Sequence, residues 1–81
     1  MTGGEAFRAK LLTRDALDAS VSAYLADPSQ PVVLEIGDKR LDVAAAVLAH
    51  KWSTDELAVE DATPERRRQA VRTAVLVAPV G

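Results

Sequence analysis

Two helix-start signals inside one stretch, Leu41 to Arg72, constrain this chain more than anything else in it. Thr63-Pro64-Glu65 is the clearer one. Its hydroxyl can cap a helix, and Pro64 falls at the first helical position, where a missing N–H costs nothing. In the other, Ser53-Thr54-Asp55-Glu56, Ser53 has the spacing to Glu56 of a capping box. Helix starts so close together predict short helices that fold back on one another: one from Val43, with Asp42 as its cap, Val43, Ala44, Val47 and Leu48 on one face, and Lys51 and Trp52 closing it; a brief one burying Leu57 and Ala58; and one from Thr63 presenting Ala70, Val71, Ala74 and Val75. This is the grammar of a helix-turn-helix.

Upstream, Thr13 caps a helix predicted to run to Ala26. Asp15 lies near its positive end, and Ala16, Leu17, Val21, Tyr24 and Leu25 recur at helical steps. Pro28 disfavours the helical conformation at Asp27 and ends it. Pro31 to Ile36 is rich in β-branched residues and too short for a stable helix, so it reads as a strand. Gly37-Asp38 fits a two-residue turn with positive φ at Gly37, which makes residues 31–42 a hairpin with its second strand at about Lys39 to Asp42. Before all this, Ala6, Phe7 and Leu11 outline one apolar turn of a short or frayed helix. The tail from Thr73 fits a helix end or a terminal strand, which could be the wing of a winged helix; the preceding pattern through Ala70 and Arg72 favours helix to about Val77. The expected fold is α+β in a single domain, residues 1–81: an N-terminal amphipathic helix (13–26), the hairpin (31–42) and a helical unit of helix-turn-helix type (43–78).

A chain of 81 residues with one Phe, one Tyr and one Trp must fill its interior with Val, Leu and Ala. At this length only about 60% of the unfolded surface is buried, so a second copy or another protein is expected to complete the burial. Absence of cysteine excludes disulfides, thiolate metal sites and a Cys nucleophile. No signal-peptide pattern opens the chain, and no apolar run reaches the roughly 18 residues of a membrane span, so a soluble, cytoplasmic protein is expected.

The net charge of −2 hides a division: Trp52 to Asp61 carries −4, and the segment from Ala62 onward carries +3. Arg66, Arg67, Arg68 and Arg72 lie early on the last helix, where a recognition helix places side chains that contact bases and phosphates. The competing reading pairs them with Glu60, Asp61 and Glu65 as a solvated ion-pair surface. Asp55, Glu56, Glu60 and Asp61 match no metal-ligand spacing. His50 reads as a cap or surface residue, since no nucleophile is suggested near it. Trp52 fits an interface anchor or a core residue. No catalytic residue, metal or cofactor is expected.

The order hairpin, helix, then Ser53, Glu56, Leu57, Asp61 and Thr63-Pro64-Glu65 resembles the small antitoxin-type domains grouped as domain of unknown function 433. The likeness covers about half the chain. It departs where the family has Gly-Thr-Arg-Ile, since Gly37 to Leu41 here reads Gly-Asp-Lys-Arg-Leu, and the helix from Thr13 has no counterpart. The resemblance implies neutralisation of a PIN-like nuclease toxin and operator binding. The expected function is therefore a non-enzymatic binding protein of the antitoxin or small-regulator kind, forming an oligomer or hetero-complex. Leu17, Val21, Tyr24, Leu25 and Trp52 are the expected partner contacts, and Arg66, Arg67, Arg68 and Arg72 the DNA contacts. The alternative is a protein-only adaptor or structural subunit of a larger assembly.

Overall fold

A computed structural model describes residues 1–80 as five helices and one antiparallel hairpin: α1 (Gly3–Arg8), α2 (Arg14–Ala26), β1 (Val33–Ile36), β2 (Lys39–Asp42), α3 (Val43–Ala49), α4 (Lys51–Leu57) and α5 (Pro64–Val77). The α+β architecture expected from the sequence is the one observed. Helix α5 packs against all four other helices, so the core is built around it. Ala70, Val71, Ala74 and Val75 supply its buried side; Val71, Ala74 and Val75 share one core with Ala6 and Leu12, with Leu17 and Val21 of α2, Val43 and Val47 of α3, and Leu34, Ile36 and Leu41 of the hairpin, whose strands pack on α2 and α3. Small and β-branched side chains there let the helix backbones approach closely.

Local signals set the starts. Thr13 accepts a hydrogen bond from the Ala16 amide at 3.1 Å, Asp42 one from Ala45 at 3.2 Å and Thr63 one from Arg66 at 3.2 Å. Helix α5 runs to Val77, as its periodicity predicts. In the hairpin, Leu34 pairs with Leu41 and Ile36 with Lys39, leaving Gly37-Asp38 as the turn; Gly37 has φ of +62° and Asp38 a negative φ, the signs that a II′ turn requires. Leu34, Ile36 and Leu41 point into the core and Glu35 and Arg40 out, the period of two that a half-buried strand requires.

Three local expectations are corrected. Lys51 and Trp52 do not close α3. It ends at Ala49, and His50, with φ −109° and ψ 100°, is both its C-cap and the N-cap of α4. Ser53 is therefore not a cap but a fully buried residue within α4, and no box forms with Glu56. A capping box does form at Thr2 and Glu5, where the Thr2 amide donates to Glu5 Oε1 at 3.0 Å and the Glu5 amide to Thr2 Oγ1 at 3.2 Å. The apolar faces are also rotated in places: Leu11, Ala16, Leu48 and Ala58 are exposed and Ala44 only half-buried, while Leu12 and Ala46 take up core positions.

Helix α1 docks on the C-terminal half of α5 at very short range. The Gly3 amide donates to Ala78 O at 2.9 Å and the Val80 amide to Met1 O at 2.7 Å, tying both ends of the chain together. A Cβ at Gly3 would stand 2.0 Å from Val75 O, closer than any side chain allows. Glycine here is a packing requirement.

Candidate functional site

The four arginines of α5 come first, because they were the expected DNA contacts. Each is engaged within the chain. Arg66 makes a forked contact with the Glu56 carboxylate of α4, with Nη2 2.9 Å from Oε2 and Nε 3.2 Å from the same oxygen. Arg67 reaches the connection between α4 and α5, its Nε donating to Ala62 O at 3.4 Å and its Nη2 to Glu60 O at 3.5 Å. Arg68 donates to Ser22 Oγ of α2 at 2.7 Å, and Arg72 lies 3.7 Å from Asp18 Oδ1 of the same helix.

Arg68 and Arg72 line a crevice of about 220 Å³ between α2 and α5, together with Asp18, Val21, Glu65 and Gln69. Internal pairing was anticipated, but with the wrong partners. None of the carboxylates of Glu60, Asp61 and Glu65 is used; Glu56, Ser22 and Asp18 come from elements that only the fold brings alongside α5. An exposed pair of this kind is worth about 0 to 1 kcal/mol, so each arginine orients its neighbour more than it stabilises the domain.

The expected partner face of α2 is also occupied. Leu17 and Val21 are fully buried in the core, and Tyr24 and Leu25 are half-buried against it. Leu17 and Val21 are therefore spent on the core, while Tyr24 and Leu25 keep part of their surface exposed beside it. Trp52 is different. It is 47% exposed, with its ring edge-on to His50 at a centroid distance of 6.2 Å.

His50 and Ser53 form the most chemically suggestive pair in the structure, with His50 Nδ1 2.7 Å from Ser53 Oγ. Ser53 Oγ is also 2.7 Å from Ala70 O of α5, and two oxygens that close need a proton between them. The hydroxyl hydrogen therefore goes to Ala70 O. Nδ1 carries a hydrogen and donates to Oγ; its 3.3 Å approach to the Ser53 amide is the weaker contact, because a nitrogen that donates there cannot also accept. Ser53 thus has its proton committed and no exposed surface. The pair is a latch between α4 and α5 rather than a nucleophile with its base. Among the described residues, no group of three or more His, Cys, Asp or Glu side chains is placed to hold a metal ion.

The remaining feature is a groove of about 350 Å³ between α3 and the end of α5. Asp42, Ala45, Ala46 and Ala49 form its α3 wall, one helical face of mostly small side chains. Ala74, Val77, Ala78 and Pro79 form the other, with Leu41 and His50 completing the lining. Val77 is 49% exposed, and Leu48, one turn from Ala45 on α3, is 74% exposed. Through His50 the groove is continuous with Trp52. Of the residues singled out from the sequence for a site, only Trp52 lies beside this groove. The signal for the rest was the alanine run Ala44 to Ala46 with Ala49, which pattern reading assigns to the core because alanine fits equally well in a core and at a close-approach surface. No helix is long and apolar enough to cross a membrane.

Comparison of the chain with protein-family models, with curated proteins and with solved structures gives no match.

Proposed function

We propose that this chain is a non-enzymatic binding protein, of the antitoxin or small-regulator kind, that holds an apolar helix of a partner protein along the α3–α5 groove. The observation that carries the reading is the exposure of three large apolar side chains, Leu48, Trp52 and Val77, on or beside a groove floored by alanines. Small residues admit a partner backbone at close range. Aromatic and aliphatic side chains at the rim then supply anchors that desolvate on contact. The resemblance carried by Ser53, Glu56 and Thr63-Pro64-Glu65 implies a PIN-like nuclease as that partner, and DNA as a second ligand.

The test is purification from native expression, before and after nuclease treatment, of the parent chain and of Ala49→Arg. Ala49 is exposed, so the fold tolerates the substitution while the groove gains a charge. A stoichiometric protein that resists nuclease, accompanies the parent and is lost from Ala49→Arg is the expected result. A parent that is monomeric and partnerless, or a partner that both forms retain equally, sinks the proposal.

A further inference from the structure

A second basic region lies at the opposite end of α2 from the chain connection to the hairpin, and among the described residues its cations have no side-chain partners. Arg8, Lys10 and Arg14 surround a shallow hollow of about 440 Å³, with Phe7, Leu12 and Thr13 as the rest of its lining. Between Phe7 and Arg14 there is no acidic residue, so seven positions beginning at Arg8 carry +3 in a chain whose net charge is −2. The other residues together carry −5. None of the ion pairs or side-chain hydrogen bonds among the described residues involves Arg8, Lys10 or Arg14. The flanking acids are Glu5, whose carboxylate is engaged by the Thr2 amide, and Asp15, which follows Arg14 directly.

The loop that presents them is rigidly held. Lys10 has a left-handed backbone, φ +64°, and is fixed there by its own amide donating to Phe7 O at 3.1 Å and the Leu11 amide donating to Ala6 O at 2.9 Å. Leu12 is fully buried and Leu11 rests beside Gly37 of the hairpin turn. A non-glycine residue held at positive φ costs energy that surrounding contacts must offset, and here the offset comes from a loop pinned at both neighbours. The positive end of α2 lies at the same hollow and adds to the potential. Three cations, Arg8 at the end of α1, Lys10 on the connection and Arg14 at the start of α2, stand on backbone that the fold already fixes and suit a ligand with repeated negative charge.

We infer that the α1–α2 loop, through Arg8, Lys10 and Arg14, is a contact surface for the phosphate backbone of nucleic acid. Leu12 is turned into the core and Phe7 packs against it, while Leu11, 45% exposed, rests beside the hairpin turn outside the hollow, so the cations dominate what the hollow offers a ligand. The hollow offers cationic donors, and its one side-chain acceptor, Thr13 Oγ1, is engaged by the Ala16 amide; donors of this kind serve phosphate oxygens, so the contact expected is with the backbone. This inference does not depend on the groove: it assigns a different face and a different ligand.

The experiment is fluorescence anisotropy of a labelled duplex DNA of mixed sequence, titrated with the full chain across a salt series. Three neutralised phosphates give a log–log slope of roughly −2.7, about forty-fold in affinity between about 50 and 200 mM salt. The variant Arg8→Gln/Lys10→Asn/Arg14→Gln is expected to flatten that slope to near zero; Asn accepts the left-handed conformation at position 10. Should the triple variant fail to fold, Arg14→Gln alone is expected to reduce the slope by about 0.9. The variant Arg66→Gln/Arg68→Gln is expected to keep the parent slope. The inference is overturned if the parent shows no salt-dependent binding at low salt, if the neutralised loop retains the parent slope, if the α5 variant is the one that loses it, or if vesicles containing phosphatidylserine are bound and the duplex is not.

Discussion

The two basic regions of this molecule contain nearly the same chemistry and have opposite circumstances. Arg66, Arg67, Arg68 and Arg72 form the denser cluster in sequence, yet α2, α4 and the α4–α5 connection each take up one or two of them. Arg8, Lys10 and Arg14 are spaced out in sequence, yet none has a counter-charge among the described residues. The difference teaches that charge density along a chain measures potential only before folding. Once α5 becomes the helix that every other helix packs on, its long side chains lie over its neighbours and find their acceptors; the α1–α2 loop has open space on its outer side and does not.

The largest expected effect tests whether α2 belongs to the core that creates this contrast or to a partner. Leu17→Ala is expected to lower unfolding stability by about 3 kcal/mol, because the side chain is fully enclosed and its removal leaves a cavity in the core that α2 shares with α5. Urea denaturation of the purified chain measures it. A loss of only a few tenths would return Leu17 to the surface and remove the reason why α5's arginines are covered.

A middle-sized effect is expected at the latch. Ser53→Ala removes the hydrogen bond to Ala70 O and the acceptor for His50 Nδ1, a loss of about 1 kcal/mol, with no accompanying change in the salt dependence of DNA binding. A change in that salt dependence would mean that the α4–α5 contact governs the basic surface after all.

The smallest effect separates the two regions directly. Arg66→Gln breaks the exposed pair with Glu56 and is expected to cost about 0.5 kcal/mol, fading as salt is raised. Arg14→Gln breaks no pair, so its denaturation midpoint is expected to coincide with the parent's. If Arg14→Gln proved the more destabilising of the two, the contrast between engaged and free cations would be wrong.

Much of the fold was legible because its signals are local. A Thr before Pro at the first helical turn, an Asp before an alanine-rich helix and a Gly at a turn position requiring positive φ act through bonds spanning two to four residues, and Thr63, Asp42 and Gly37 behave as their neighbours dictate. The Thr2–Glu5 box obeys the same rule and was present in the sequence to be seen. Ser53 shows where such reading fails. Its spacing to Glu56 is that of a capping box, but His50 breaks the chain three residues earlier, so Ser53 falls inside the helix and bonds Ala70 instead.

The candidate surfaces were less legible than the fold. Trp52 is singled out in the sequence because tryptophan is enriched at interfaces, but a core position fits it as well, and only the fold leaves it exposed. The alanine wall of the groove is not singled out, since Ala45 and Ala49 are as compatible with burial as with exposure, and only their position over the end of α5 distinguishes them.

The sequence by itself determined the order and ends of most elements and the α+β class, because capping and turn conformation are settled within a few residues. Tertiary structure alone decided which arginines are engaged, which helix face is spent on the core and which alanines are open. Those outcomes depend on contacts between residues such as Arg68 and Ser22 that are far apart in the chain. Whether such a contact exists is a property of how helices pack, and helical periodicity specifies which residues share a face but not what that face will meet.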